Sequence, residues 1–223
     1  MKNTPNKKQL IHTKFARKLA HKKGDFQMSK LRIPILFLAA ALMVGCGVVF
    51  VSGSGNVVTQ EEAITGFDRL DVSQGFQVVV RQGDTFSVVI RVDDNLVERL
   101  NVVKEGSTLK IGLDQIQSYQ NVTLEAEVTM PELVGLDLSG GSRVTASGTG
   151  EDISIDASGG SGADLADFSV VNANVDASGG SQVTLNVSGT LNVDASGGSQ
   201  VYYLGDPTLG TIDTSGGAQV GPR

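Results

Sequence analysis

The pattern of apolar and polar positions from residue 136 to residue 223 repeats five times. Each copy runs apolar, Asp, small or apolar, Ser, and then a pair of glycines, whose first members are Gly140, Gly159, Gly179, Gly197 and Gly216. Strict alternation over four residues predicts a strand with one buried face, and paired glycines turn the chain without steric cost. A period of 18 to 20 residues indicates one supersecondary unit stacked on copies of itself.

The repeats predict an all-β fold in which each copy is one rung of a parallel β-solenoid. The rungs hold about 19 residues and should stack ~4.8 Å apart. A second inward-facing strand in each rung is predicted by valines three residues after the glycine pair: Val144, Val183, Val201 and Val220. Short antiparallel hairpins are the alternative all-β packing, but they would not require a fixed period. We therefore interpret residues 136–223 as five Ser-Gly-Gly solenoid rungs.

Residues 52–135 show a less regular alternation that still predicts strands. Alternating segments are found at 76–81, 87–92, 108–113 and 122–129. The run Asp93-Asp94-Asn95 before Leu96 predicts a short helical turn with an acidic cap. Leu70-Asp71-Val72 matches the start of the later repeat in a degenerate form. We interpret residues 52–135 as an irregular β segment that caps the same solenoid.

The N-terminal segment, residues 1–51, has the pattern of a leader or membrane anchor. Residues 1–32 carry ten Lys/Arg and one acidic residue, and an apolar run follows from 33 to 51. Leu42-Met43-Val44-Gly45-Cys46 matches a bacterial lipoprotein signal, although Met43 stands where Leu is preferred, and predicts lipidation of Cys46. The alternative is an uncleaved transmembrane helix of about 19 residues. Residues 1–27 are interpreted as an upstream extension if translation starts at Met28.

Both interpretations of the leader place residues 52–223 outside the cytoplasm, anchored to the membrane of a bacterial cell envelope. Residues 46–223 hold 8 Lys/Arg and 23 Asp/Glu, a net charge of −15. An acidic domain argues against nucleic acid as a partner, because phosphates must be neutralised by Lys and Arg. Both histidines, His12 and His21, precede Cys46. No cofactor is predicted.

One Asp in each rung should face solvent, so that the five stack into a ladder: Asp137, Asp156, Asp176, Asp194 and Asp213. Unit charges ~4.8 Å apart repel by about 0.9 kcal/mol in water, a mild penalty when the ladder is solvated. A solvated charged face that keeps the protein soluble is one interpretation. A cation site, in which carboxylates and neighbouring Ser hydroxyls bind Ca²⁺, is the other.

Two further groups are candidates for ligand contact or catalysis. In the adjacent pair Tyr202-Tyr203, one ring should face the core and the other should face solvent, where it could stack on a sugar or a partner. Paired carboxylates could catalyse glycoside hydrolysis, and Glu125 with Glu127 on one strand face, or Glu151 with Asp152 in a turn, are such pairs. Pairs of this kind also arise by chance in a chain with this many acids.

The order of motifs along the chain resembles one bacterial family. Gly53-Ser54-Gly55-Asn56 opens the domain, Phe67-Asp68-Arg69-Leu70 and Asp93-Asp94-Asn95-Leu96 follow, and Met130-Pro131-Glu132-Leu133 leads into the rungs. The chain resembles the putative auto-transporter adhesin, head GIN domain family over nearly all of residues 52–223. The resemblance implies a right-handed β-helix-like fold on a secreted or lipid-anchored envelope protein. It supplies no catalytic residues.

The sequence therefore predicts a non-catalytic adhesive or structural binding module. Its expected partners are an envelope polysaccharide or protein, the membrane through the lipid anchor or N-terminal helix, and a second copy through the open C-terminal edge of the solenoid. A polysaccharide-active enzyme that uses paired carboxylates is the first alternative. A membrane-anchored sensor or regulatory ectodomain is the second.

Overall fold

The computed structural model describes residues 50–114 and 118–223. The predicted lipidation site Cys46, and all of the predicted leader before residue 50, lie outside the described residues. Within the described ranges, no helix combines the length and apolar character needed to cross a bilayer. Strands and the turns between them make up most of these residues, so the prediction of an all-β fold is confirmed.

The elements are seventeen strands and one short 3-10 helix, Asp94–Arg99, in the described residues. The first nine strands are β1 (Phe50–Ser52), β2 (Val57–Glu62), β3 (Arg69–Val72), β4 (Gln77–Gln82), β5 (Ser87–Asp93), β6 (Leu100–Glu105), β7 (Thr108–Leu113), β8 (Ser118–Gln120) and β9 (Leu124–Met130). The remaining eight are β10 (Gly135–Leu138), β11 (Arg143–Ala157), β12 (Gly162–Ala177), β13 (Gln182–Val187), β14 (Thr190–Ala195), β15 (Gln200–Leu204), β16 (Thr208–Thr214) and β17 (Gln219–Pro222).

One parallel ladder joins the strands that precede the Gly-Gly turns. It runs β7, β3, β10, the second half of β11, the second half of β12, β14 and β16, with β6 antiparallel at one edge. Corresponding repeat positions are paired directly: Leu136 with Ile155, Ile155 with Val175, and Val175 with Val193. The degenerate copy at Leu70 pairs with Leu136 in the same register. We call this set of strands the first ladder.

A second ladder joins the strands that follow the turns. It runs β5, β9, β4, the first half of β11, the first half of β12, β13, β15 and β17, with β2 antiparallel to β5 at one edge. Its inward-facing side chains include the predicted Val144, Val183 and Val201, which are buried, and Val220, which is half-buried. One contiguous apolar core lies between the two ladders.

Strands β11 and β12 are long enough, at 15 and 16 residues, to belong to both ladders. The repeat pattern alone does not predict this continuity, because the glycines Gly148 and Gly150 read as turn residues. The neighbours of these two glycines account for their place in β11: a Cβ at Gly150 would lie 3.2 Å from the ring of Phe168, and a Cβ at Gly148 would lie 2.6 Å from Cβ of Gln82 as well as 3.2 Å from that ring. Phe168 is buried in the core.

In the first four repeats the glycine pair is followed by a Ser whose side chain is buried, not exposed at a turn. Three of these hydroxyl groups donate to carbonyl oxygens of neighbouring layers: Ser142 Oγ to Val72 (2.9 Å), Ser161 Oγ to Leu138 (3.3 Å) and Ser199 Oγ to Ala177 (3.1 Å). The hydroxyl of Ser181 is buried without a partner among the described residues. Because a paired buried hydroxyl avoids a desolvation cost, Ser142, Ser161 and Ser199 help to hold successive repeats together.

The predicted helical turn after Asp93 is present as the 3-10 helix, but its acidic cap is different from the one predicted. The side chain of Asp93 makes no capping hydrogen bond to this helix. Its carboxylate is buried and accepts from the backbone N–H groups of Gly55 and Thr123, both at 2.7 Å. Asp93 thus ties β2 and β9 to the end of β5, and its role is structural.

Candidate functional site

Three outward-facing features of the two ladders carry the candidate chemistry. The first is the aspartate column on the first ladder. The five predicted residues align directly, each Asp paired in register with the next, and Asp71 extends the column by one layer. Beyond Asp71 the next position is Lys110, which forms an ion pair with Glu105 at 2.6 Å. The pKa of Lys110 is raised by Glu105, with a further contribution from Asp71.

Asp176 lies at the centre of the aspartate column. Burial raises its pKa, and the charges of Asp156 and Asp194 on either side raise it further. Among the residues that the structure describes, no group of three or more His, Cys, Asp and Glu side chains is arranged to hold a metal ion. Cation binding by the column stays a prediction.

We expect the substitution Asp176→Asn to raise the thermal midpoint of unfolding at pH 7, by roughly 1–2 °C for a weak, solvent-screened interaction in a domain of this size. The pKa of Asp176 is higher in the fold, so its charged form costs stability at neutral pH, and this cost disappears as pH falls through that pKa. The gain of the variant should therefore shrink in acid. Calorimetry from pH 3 to pH 7 measures it. Asp206→Asn is the control, because it removes one negative charge outside the column. An equal rise of the thermal midpoint in this variant would show that the effect comes from net charge and not from the column.

The second feature is the set of carboxylate pairs considered for catalysis. Glu125 and Glu127 lie on β9 as predicted, but each is bound by an arginine: Glu125 to Arg91 at 2.6 Å, and Glu127 to Arg81 at 2.9 Å. A general acid or nucleophile would have to break these contacts. The prediction that Glu151 and Asp152 lie in a turn is wrong, because both belong to β11, which continues through this region. Asp152 accepts a hydrogen bond from Asn172 Nδ2 at 2.8 Å.

The third feature contains the tyrosine pair on β15. Tyr203 pairs in register with the buried Leu185 and packs against the core, whereas Tyr202 pairs with Thr184 on the outer side. The alternation expected for the pair is therefore confirmed. The next residue in the outward column of Tyr202 is Gly221, which places no side chain beside the ring at that position of the column. The Tyr202 hydroxyl lies 3.5 Å from Gln200 Oε1.

Tyr202 lines a groove of about 390 Å³ on the second ladder, within the size range of ligand sites. We call it the Arg143 groove and define it by six of the residues that line it: Arg143, Asp164, Gln182, Thr184, Tyr202 and Arg223. Its side chains come from four layers, β11, β12, β13 and β15, and from the residue after β17. The groove follows two outward columns in which Gly162 and Gly221 are the positions without a side chain.

Tyr202 is predicted from the sequence as a ligand contact, whereas the other residues of the groove are not. Apart from Arg223, the groove residues named above occupy the repeat positions two and four residues after the second glycine. These are Arg143, Gly162 and Gln182 at the first position, and Thr145, Asp164, Thr184 and Tyr202 at the second. Aligning the five repeats at those positions would have shown an arginine and an aromatic residue on the same outer face. The strand register then brings them to one groove.

Comparison with known proteins is consistent with this fold. A crystal structure of a putative adhesin from Bacteroides fragilis is similar over 78% of this chain and 100% of its own, with 14% identity and a TM-score of 0.52. At this identity the likeness to the Bacteroides fragilis protein concerns the fold alone. A putative lipid binding protein from Parabacteroides distasonis, 19% identical, matches the same shares of the two chains with a TM-score of 0.39, too low to support an argument about the fold. A comparison with curated proteins found no match.

The family resemblance inferred from the order of motifs is confirmed by a sequence model of the family. The model for the putative auto-transporter adhesin, head GIN domain matches residues 66–149 and 134–207. The two matches overlap and together span β3 to β15, which includes most strands of both ladders and five of the six residues that define the Arg143 groove. The chain therefore belongs to the putative auto-transporter adhesin, head GIN domain family.

Proposed function

We propose that this chain is a non-catalytic adhesive module of the bacterial cell envelope, in which a right-handed parallel β-solenoid presents a binding surface of fixed geometry. The observation that carries the proposal is the Arg143 groove. It combines a guanidinium, a half-buried tyrosine ring and polar side chains on strands that are paired in register. Arginine and tyrosine are the residues that dominate the energy of binding surfaces.

The scaffold under the groove supports recognition by rigid docking. Buried valines on the opposite side of the same strands, such as Val144, Val183 and Val201, hold the groove residues against the core. A site built on strands is more precise than one built on loops. Because its side chains are ordered before a ligand arrives, less conformational entropy is lost on binding.

The carboxylate content of the groove favours binding over hydrolysis. Glycoside hydrolases normally place two carboxyl groups on either side of the scissile bond. Among the described residues that line the groove, Asp164 supplies the one side-chain carboxylate. Its Oδ1 atom already accepts from the backbone N–H of Ala166 at 3.2 Å and lies 3.9 Å from Arg223. These contacts position Asp164 as a hydrogen-bond acceptor for a ligand.

Anchoring through lipid on Cys46 is part of the proposal and rests on the sequence that precedes it. Attachment at Cys46 would leave the three residues 47–49 between the lipidated cysteine and β1, and would place the adhesive domain directly at the membrane surface. A retained apolar helix over residues 33–51 is the alternative anchor, and it fits a sensor or regulatory ectodomain as well as an adhesin.

The test uses bacteria that carry the full chain, the Cys46→Ala variant or no chain, and it measures cell attachment to surfaces coated with acidic or neutral polysaccharides. We expect the wild type to attach at least several-fold more than the other two strains. The mass of the membrane-extracted protein should show loss of residues 1–45 and addition of lipid, which Cys46→Ala should abolish. Met43→Leu, which moves the motif closer to its preferred form, is the matched control. This variant should still lose residues 1–45 and gain the lipid.

Three results would contradict parts of this proposal. Equal attachment with and without the chain would exclude the adhesive function. An unchanged mass and membrane partition for Cys46→Ala would show that the anchor is a transmembrane helix. Release of new reducing ends from the coated polysaccharide would establish the enzymatic alternative.

A further inference from the structure

Only some of the Lys and Arg side chains of this acidic domain form short ion pairs. Residues 46–223 hold only eight Lys and Arg residues against 23 acids. Three of the eight form short ion pairs on the outer faces of the strands: Arg81 with Glu127, Arg91 with Glu125, and Lys110 with Glu105. Two others, Arg143 and Arg223, lie in the Arg143 groove.

Arg143 differs from the paired cations, because within residues 50–114 and 118–223 its guanidinium has neither a hydrogen-bond nor an ion-pair partner. Arg223 is 3.9 Å from Asp164, at the outer limit of an ion pair. A domain with nearly three acids for each cation could have paired this guanidinium easily. Among the side chains that define the groove, two guanidinium groups therefore face one carboxylate, although the surrounding protein is strongly negative.

The absence of a side chain at position 162 keeps Arg143 inside the groove. Gly162 follows Arg143 in the outward column, and a Cβ there would lie 3.1 Å from Nη1 of Arg143. The guanidinium thus lies over the backbone of the next strand. Its planar set of N–H donors matches the two oxygens of a carboxylate in a bidentate contact.

Tyr202 supplies the second recognition element at the other end of the groove. Its strand is the third after that of Arg143, so the two backbones are about 14 Å apart at ~4.8 Å for each strand. The half-buried ring has the threonine Thr184 on one side and Gly221 on the other. An aromatic face of this kind packs against the C–H groups of a sugar ring, while Gln182 and Asp164 between the two ends can bind hydroxyl groups.

We propose that the Arg143 groove binds an oligosaccharide that contains a carboxylated sugar, with the carboxylate on Arg143 and a neighbouring sugar ring on Tyr202. The inference rests on the proposed adhesive function and gives it a ligand class. The span of about 14 Å requires more than one sugar unit. The net charge of −15 on residues 46–223 disfavours a densely charged polyanion at long range, but at physiological ionic strength this repulsion is screened beyond about 8 Å.

The experiment measures binding of the full chain, purified in detergent, to short oligogalacturonates by calorimetry, with the fully methyl-esterified oligomers as the uncharged probe. We expect the acid form to bind at least about tenfold more tightly than the ester, and its affinity to fall as salt rises. Arg143→Gln should remove this preference and leave ester binding unchanged. Tyr202→Ala should weaken the binding of both the acid and the ester. Arg81→Gln removes the same charge from the same ladder outside the groove and should change neither affinity.

The outcomes separate the ligand class from the adhesive function. Equal affinity for acid and ester, with Tyr202→Ala still weakening both, would overturn carboxylate recognition while the groove remained a sugar-binding surface. No effect of either Arg143→Gln or Tyr202→Ala on binding would overturn the site, even if cells that carry the chain still attach to polysaccharide. Preference for an acidic peptide over both oligosaccharides would overturn the assignment to sugars. The thermal midpoint of each variant is compared with that of the wild type. Because Arg143 is exposed and Tyr202 is only half-buried, neither substitution should change it much.

Discussion

Replacing Val193 by Asp should lower the free energy of unfolding by about 3–5 kcal/mol, the usual cost of an uncompensated buried charge. Val193 is 2% exposed and lies in the inward column of the first ladder. Its neighbours in register are Val175 on one side and Ile212 on the other, so a carboxylate at this position would find apolar partners. Urea denaturation followed by circular dichroism measures the change.

The adjacent substitution Asp194→Asn is the matched control. Asp194 is exposed and lies between Asp176 and Asp213 in the aspartate column, so removing its charge should be neutral or slightly stabilising. Similar losses of stability for the two variants would show that the inward and outward positions of β14 have been misassigned. A loss confined to Val193→Asp is the expected result.

The second large effect is expected for Gly179→Ala, which should destabilise the protein by about 2–3 kcal/mol. Gly179 has φ of +69°, a conformation that costs an L-residue roughly 1–2 kcal/mol. A Cβ there would also lie 2.9 Å from the backbone oxygen of Gly159. That oxygen accepts a hydrogen bond from the N–H of Gly180 at 2.7 Å, so relieving the contact would disturb the link between two layers.

The control for Gly179→Ala is Gly160→Ala, at the second position of a glycine pair. Position 160 has no heavy atom within 4 Å of a Cβ, and its φ is not in the left-handed region. Alanine there should be neutral or stabilise by up to about 1 kcal/mol, because it reduces the entropy of the unfolded chain. Thermal unfolding of both variants distinguishes the two roles. If Gly179→Ala lowered stability no more than Gly160→Ala, the result would contradict the close stacking of the turns.

The stacked turns matter for the Arg143 groove because they set the register of the strands that form it. The second-ladder strands that line the groove begin two residues after a glycine pair, for example at Gln182 after Gly180 and at Gln200 after Gly198. A change in the spacing of the turns would move Tyr202 relative to Arg143. We therefore expect ligand affinity to be more sensitive to Gly179→Ala than to Gly160→Ala.

The amino-acid sequence by itself determined most of the strands, their inward and outward faces and the position of the Gly-Gly turns, but not the continuity of β11 and β12. It did so because the side-chain period of a strand is two residues and because the repeat places the same residue type at the same position in every copy. The aspartate column and the opposite orientations of Tyr202 and Tyr203 could be predicted for this reason. Leu70-Asp71-Val72 could be placed in the first ladder because it still carries the same pattern.

Only the tertiary structure decided which outward residues form a site. Arg143 and Tyr202 are 59 positions apart in the chain, and no local pattern connects them until the register brings their columns side by side. The same applies to Phe168, which fills the space beside Gly148 and Gly150, and to Asp93, whose carboxylate binds Gly55 and Thr123 instead of its own helix. Alternation assigns a side chain to a face of a strand, but its partners there depend on contacts between residues that are distant in sequence.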